Sequence, residues 1–129
     1  MTEIPRVLIA EENEQVASVL EIQVRNAGYD TRVSTPDAAI AALDEYRPHI
    51  VFVGSTREEM TAYATCRAIR ERSPVAIVGL AGRFPYDIPG WITSKADAWM
   101  PKPWNPRAIP VVLSALLDKI TGALNDYVN

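Results

Sequence analysis

Short, continuously apolar runs set between helical patterns constrain this chain more than any other feature. Val7-Leu8-Ile9-Ala10, Ile50-Val51-Phe52-Val53 and Val75-Ala76-Ile77-Val78 show no alternation of polar and apolar positions. A strand that reads this way is buried on both faces. Two weaker segments, residues 29–34 and 97–100, complete the set. Strand and helix patterns alternate five times along the chain. That order implies a parallel sheet with helices on both faces and right-handed crossovers. The ligand crevice of such a sheet lies beyond the carboxyl ends of its strands. Glu11, Glu12, Gly54, Gly79 or Leu80, and Lys102 all fall at such ends.

The helical patterns have recognisable boundaries. Over residues 13–27, Val16, Val19, Leu20, Val24 and Ala27 recur at spacings of three and four, and Gly28 takes the position after the cap. Thr35 caps a second helix with Pro36 at its first position, and residues 38–46 place Ile40, Leu43 and Tyr46 on one face before Pro48 ends it. The polar loop Ser55-Thr56-Arg57-Glu58-Glu59 leads to a third helix over residues 60–72, with Ala62, Cys66 and Ile69 inward. Residues 83–95 contain Pro85, Pro89 and Gly90, which oppose a long helix, so one short helical piece is expected around Trp91. Asn105 and Pro106 open the last helix, whose stripe is Ile109, Val112, Leu113, Leu116, Leu117 and Ile120. Pro110 lies deeper than the first position, so that helix starts late or bends.

Composition narrows the function classes. A length of 129 residues with 48% hydrophobic content suits one domain with a single core, here about residues 5–120. No apolar run approaches the ~20 residues that span a bilayer, and the first residues lack a secretory pattern. The single cysteine, Cys66, cannot form an internal disulfide, which makes a cytoplasmic setting the default. A net charge of −3 with acids and bases intermixed gives no nucleic-acid footprint. No serine, histidine and acid set and no cysteine and histidine metal spacing is present, so neither an enzyme nor a cofactor is expected.

Five segments in order resemble the receiver domain of bacterial two-component response regulators. They are Arg6-Val7-Leu8-Ile9-Ala10-Glu11-Glu12, Asn26-Ala27-Gly28-Tyr29, Arg47-Pro48-His49-Ile50-Val51-Phe52-Val53, Cys66-Arg67-Ala68-Ile69-Arg70 and Ala96-Asp97-Ala98-Trp99-Met100-Pro101-Lys102-Pro103-Trp104. The resemblance implies a flavodoxin-like three-layer sandwich with strand order 2-1-3-4-5, here with an irregular or shortened fourth helix. It implies that Lys102 is the family's lysine and that the Lys102–Pro103 bond is cis. It places Trp99 at the family's switch aromatic, on a signalling face formed by the fourth helix, fifth strand and fifth helix.

The same resemblance shows what is missing. Gly54 stands where the family carries its phosphate-accepting aspartate, and glycine cannot form an acyl phosphate. Glu11 and Glu12 replace the two metal-binding aspartates. Magnesium demands tight octahedral geometry, so weak binding at Glu11 and Glu12 or none is expected. The family's switch hydroxyl falls at Gly79 or Leu80, neither of which has one. Lys102 is then expected to pair with Glu11 or Glu12, because adjacent acids in a cleft repel. Without the hydroxyl, Trp99 is expected to hold one position.

Bland readings compete at each residue. Paired glutamates before a helix are commonly a solvated first turn. Gly54 alone is a strand terminator, and Lys102 between prolines alone is a loop lysine. His49 reads as structural and Cys66 as a small core residue. Trp91, Trp99 and Trp104 read as packing, or, for Trp99 and Trp104, as a binding face. The leading function is a pseudo-receiver: a phosphorylation-independent interaction module in a phosphorelay-type pathway. Its expected partners are a histidine kinase, a downstream output protein or a second copy docked on the signalling face. The alternatives are an atypical phosphoacceptor using Ser55, Thr56, Glu58 or Glu59, and a small-ligand-binding flavodoxin-like protein.

Overall fold

Burial on both faces is what the apolar runs require, and the sheet supplies it. The computed structural model describes residues 4–54, 59–82 and 88–128, without the side chains of 59, 60, 88 and 121–128. Its strands are β1 (Arg6–Glu11), β2 (Asp30–Ser34), β3 (Ile50–Gly54), β4 (Ala76–Ala81) and β5 (Ala98–Pro101). They are parallel throughout and lie in the order β2-β1-β3-β4-β5. The helices are α1 (Glu14–Asn26), α2 (Ala39–Tyr46), α3 (Glu59–Arg72), α4 (Ile88–Thr93) and α5 (Ala108–Val128). No described helix is long and apolar enough to cross a membrane.

Strand alternation divides the core into two layers. Val7, Ile9, Ile50, Phe52, Val78 and Leu80 pack with Leu20 and Val24 of α1 and Ile109, Leu113 and Leu116 of α5. Leu8, Ala10, Val51, Val53 and Ile77 pack on the other side with Leu43 of α2, Tyr63, Cys66 and Ile69 of α3 and Trp91 of α4. Parity along each strand therefore decides which helical layer a side chain meets.

Local chemistry sets the element ends. Asn13 caps α1 by accepting from the Gln15 and Val16 amides at 3.0 and 3.1 Å. Gly28 beyond its other end has φ +99, a conformation that favours glycine. Thr35 caps a 3₁₀ turn, Pro36–Ala38, that leads into α2. Arg47, at φ 53, ends α2 before Pro48. Asn105 Oδ1 accepts from the Arg107 amide at 3.0 Å, and α5 begins at Ala108. The late start leaves Pro110 in the first turn, where its missing N–H costs nothing.

Four readings need correction. Strand β4 was expected to stop at Val78 but continues to Ala81, so Gly79 and Leu80 lie inside it. Glycine weakens an isolated strand, yet here it lets another element approach closely. Strand β5 begins at Ala98, and Asp97 instead accepts the Ile77 amide at 2.7 Å and the Arg70 guanidinium at 2.8 Å. On α1 the core face is Ala17, Leu20 and Val24, while Val19 is 49% exposed. On α2, Ala39 and Ala42 are buried with Leu43, while Ile40 and Tyr46 are half-buried.

His49 ties β3 to β1. Its Nδ1 accepts the Arg6 amide at 3.0 Å, and its own amide donates to the Arg6 carbonyl at 2.8 Å. Burial, and secondarily the Arg6 charge, push the imidazole below its usual range. The unfolded chain then takes up this proton more readily than the folded one, so this stability is complete above the unfolded value and is lost as pH falls through the folded one. The melting temperature should fall between about pH 7.5 and about pH 5.5. The fall should be smaller in His49→Asn, whose Oδ1 can accept the same bond. Equal falls in the two proteins would remove His49 as the cause.

Candidate functional site

The carboxyl ends of β1, β3 and β4 meet in register, Glu11 beside Gly54 and Gly54 beside Leu80. All three positions face the α1 and α5 layer. The Glu11 carboxylate forms an ion pair with the Lys102 ammonium, which reaches in from the loop after β5. The Glu11 side chain is fully buried and that of Lys102 is 14% exposed. Glu11 Oε2 also accepts the Asn13 amide at 3.1 Å. The second oxygen is thereby fixed by the residue that caps α1.

Gly54 is what makes room for this carboxylate. A Cβ at position 54 would lie 2.7 Å from Glu11 Oε1 and 3.0 Å from the Leu80 Cβ. The first contact requires the paired carboxylate to move, and the second requires Leu80, a backbone-anchored carbon, to give by a few tenths of an ångström. The space that a side chain at position 54 would use is filled by the longer acid of β1.

A second glycine repeats the pattern on the opposite face. A Cβ at Gly79 would lie 2.2 Å from the indole ring of Trp91. Trp91 is fully buried, and its ring meets Tyr63 of α3 edge-on, with centroids 4.7 Å apart and planes at 87°. Its Nε1 has no hydrogen-bond partner among the described residues. Trp99 is the register neighbour of Gly79 and packs, half-buried, with the same layer. Leu80, the other candidate for the switch position, is buried in the α1 and α5 layer.

The remaining residues separate. Lys102–Pro103 is a cis peptide. Trp104 is half-buried against the α1 and α5 layer, and its Nε1 donates to Gln23 Oε1 at 2.6 Å. Trp99 and Trp104, both expected on the face formed by α4, β5 and α5, pack with different layers of the sheet. Alternation within β5 sends Trp99 to the Gly79 side, whereas Trp104 lies past the strand end and is drawn to α1. It helps wall an apolar groove of about 460 Å³ with Val16, Val19 and Pro103. Glu12 is half-buried and lines a different groove with Glu14, Glu21 and Thr35. Ser55, Thr56 and Glu58, and the side chain of Glu59, lie outside the described residues. Cys66 is buried in the core, and burial pushes its thiol up to about 12, far from a reactive thiolate.

This constellation does not fit magnesium. Gly54 offers no oxygen beyond its backbone, and the Glu11 carboxylate is held by Lys102 and Asn13. Among the described residues no three acidic, histidine or cysteine side chains are grouped to hold a metal ion. Magnesium needs several oxygens at short, nearly octahedral distances. What the arrangement does chemically is neutralise one buried acid with one lysine.

No protein-family model matches the chain. It is 30% identical over 114 residues to the DNA-binding response regulator MtrA of Mycolicibacterium smegmatis, covering 87% of this chain and 50% of that protein. The chain thus spans about half the length of the curated relatives it matches. Among solved structures it is similar to the chemotaxis protein CheY4 of Vibrio cholerae, with TM-score 0.79, 19% identity and coverage of 88% of this chain and 99% of that one. It is also similar to the receiver domain of NtrX from Brucella abortus, with TM-score 0.75, 19% identity and coverage of 87% and 98%. At these identities the structural likeness establishes the fold.

Two substitutions test the site as described. Lys102→Met leaves the buried Glu11 carboxylate without its cation, which should cost on the order of 3 kcal/mol; an unchanged melting temperature would contradict the pairing. Gly79→Ala forces the Trp91 ring to move and should cost about 2–3 kcal/mol, with tryptophan emission shifted to the red. Native-like stability and emission would show that the ring is not seated on Gly79.

Proposed function

We propose that this chain is a response regulator receiver domain, a reading that its similarity to MtrA and its fold support, and that it signals without being phosphorylated at position 54. The observation that carries the reading is the filling of that position. Gly54 has no carboxylate, and Glu11 Oε1 stands 2.7 Å from where a side chain would begin. Lys102, which in the family meets the phosphoryl group, is engaged by Glu11. Among the described residues the pocket has no acceptor carboxylate and no metal-binding set.

On this reading the domain is an interaction module and no catalytic step is assigned to it. Its shape, rather than a covalent mark, is what a histidine kinase or an output protein recognises. A homodimer through α4, β5 and α5 belongs to the same reading; Ile92 on α4 and Val111 on α5 are 59% and 68% exposed and support it. The DNA binding named for MtrA is not carried over, since this chain spans about half of that protein and has a net charge of −3.

One observation favours a second reading. The groove beside Trp104 is of a size that suits a small molecule, and its walls are mainly apolar, with Gln15, Gln23 and Lys102 also among its lining residues. A small-ligand-binding role would place the ligand there.

Incubation with acetyl phosphate and magnesium followed by intact-mass measurement tests the main reading. The expected result is an unmodified chain. A stable phosphoryl adduct would overturn it, and peptide mapping to Ser55 or Thr56 would identify an atypical acceptor.

A further inference from the structure

Lys102 is a mostly buried cation, and its partner comes from within the chain. Beside the place of a position-54 Cβ lie the Leu80 side chain and the Glu11 carboxylate, and that carboxylate meets the Lys102 ammonium. An aspartate at position 11 would end about one C–C bond, or ~1.5 Å, short of that space. The additional methylene of glutamate carries Oε1 to within 2.7 Å of the place of a position-54 Cβ. The Asn13 amide holds Oε2, so the carboxylate is gripped at both oxygens.

We propose that Glu11 is a tethered internal ligand: its carboxylate occupies an anion pocket built by Lys102 and left open by Gly54, and so keeps that pocket closed to small anions from solution. Residues 11 and 54 are then a complementary pair. A longer acid on β1 requires the missing side chain on β3, and the missing side chain on β3 leaves a hole that only the longer acid fills. The proposal rests on reading position 54 as the emptied acceptor position. Its test uses no phosphodonor, so the two readings can fail separately.

Replacement of Glu11 by alanine deletes a methylene and a carboxylate, together the size of acetate. Glu11→Ala should leave the Lys102 ammonium facing a cavity for a small carboxylate. Its melting temperature should rise saturably with sodium acetate, beyond the effect of sodium chloride at equal ionic strength. The natural chain should show no such excess, and Glu11→Ala combined with Lys102→Met should lose it. An acetate response equal in Glu11→Ala and the natural chain would overturn the proposal.

A second comparison holds even where Glu11→Ala does not fold. Gly54→Ala should lower the melting temperature of the natural chain by roughly 5 °C or more, because Cβ meets the carboxylate and Leu80. The same substitution should cost clearly less beside Glu11→Asp, whose carboxylate is withdrawn. Equal costs in the two backgrounds would mean that residues 11 and 54 are uncoupled and that Glu11 is not the occupant.

Discussion

One buried contact, the Glu11 carboxylate on the Lys102 ammonium, organises the carboxyl edge of the sheet. It joins β1 to the loop after β5, across the ends of β3 and β4. Removing two charges from water is expensive, and a buried pair often returns no more than that cost. Its consequence here is geometric rather than a gain in stability. It sets where the loop carrying Lys102, Pro103 and Trp104 approaches α1, and the Trp104 indole then bonds to Gln23. The same contact takes the acid and the base that a phosphoryl group would need.

Two glycines make this possible, one on each face of the sheet. Gly54 accommodates a carboxylate from the neighbouring strand, and Gly79 accommodates an indole from α4. Helix α4 is only six residues long and contains Pro89 and Gly90, so its backbone alone makes a weak helix. Trp91 compensates by burying a large ring against Gly79 and Tyr63. Each glycine is therefore matched by a neighbouring side chain that fills the space beside it.

Much of the fold was legible because continuously apolar strands have few architectures open to them. Sheet order, both helical layers and the short fourth helix follow from the run pattern, its five motifs and the prolines. The pairing of Lys102 with Glu11 or Glu12 was legible once the resemblance placed the lysine beside two repelling acids. The filling of Gly54 was not, because it depends on strand register and on the direction of a Cβ bond that glycine lacks. Gly79 was read as a strand end for a related reason: nothing local announces that a tryptophan twelve positions later will lie on it. Val19 was counted as core because spacings of three and four describe a face wider than the sheet covers. Asp97 lies outside β5 rather than at its start, because it holds a backbone amide of β4 and that bond has no sequence signature.

The central claim is that the chain's own Glu11 already occupies the space where an acyl phosphate would form. Beryllofluoride with magnesium imitates such a phosphoryl group and can be titrated into the protein while tryptophan fluorescence is followed. Trp104 lies beside Lys102 on the groove wall, so it reports on that space. The account predicts no saturable change in emission. A saturable, magnesium-dependent change that disappears in Lys102→Met would contradict it.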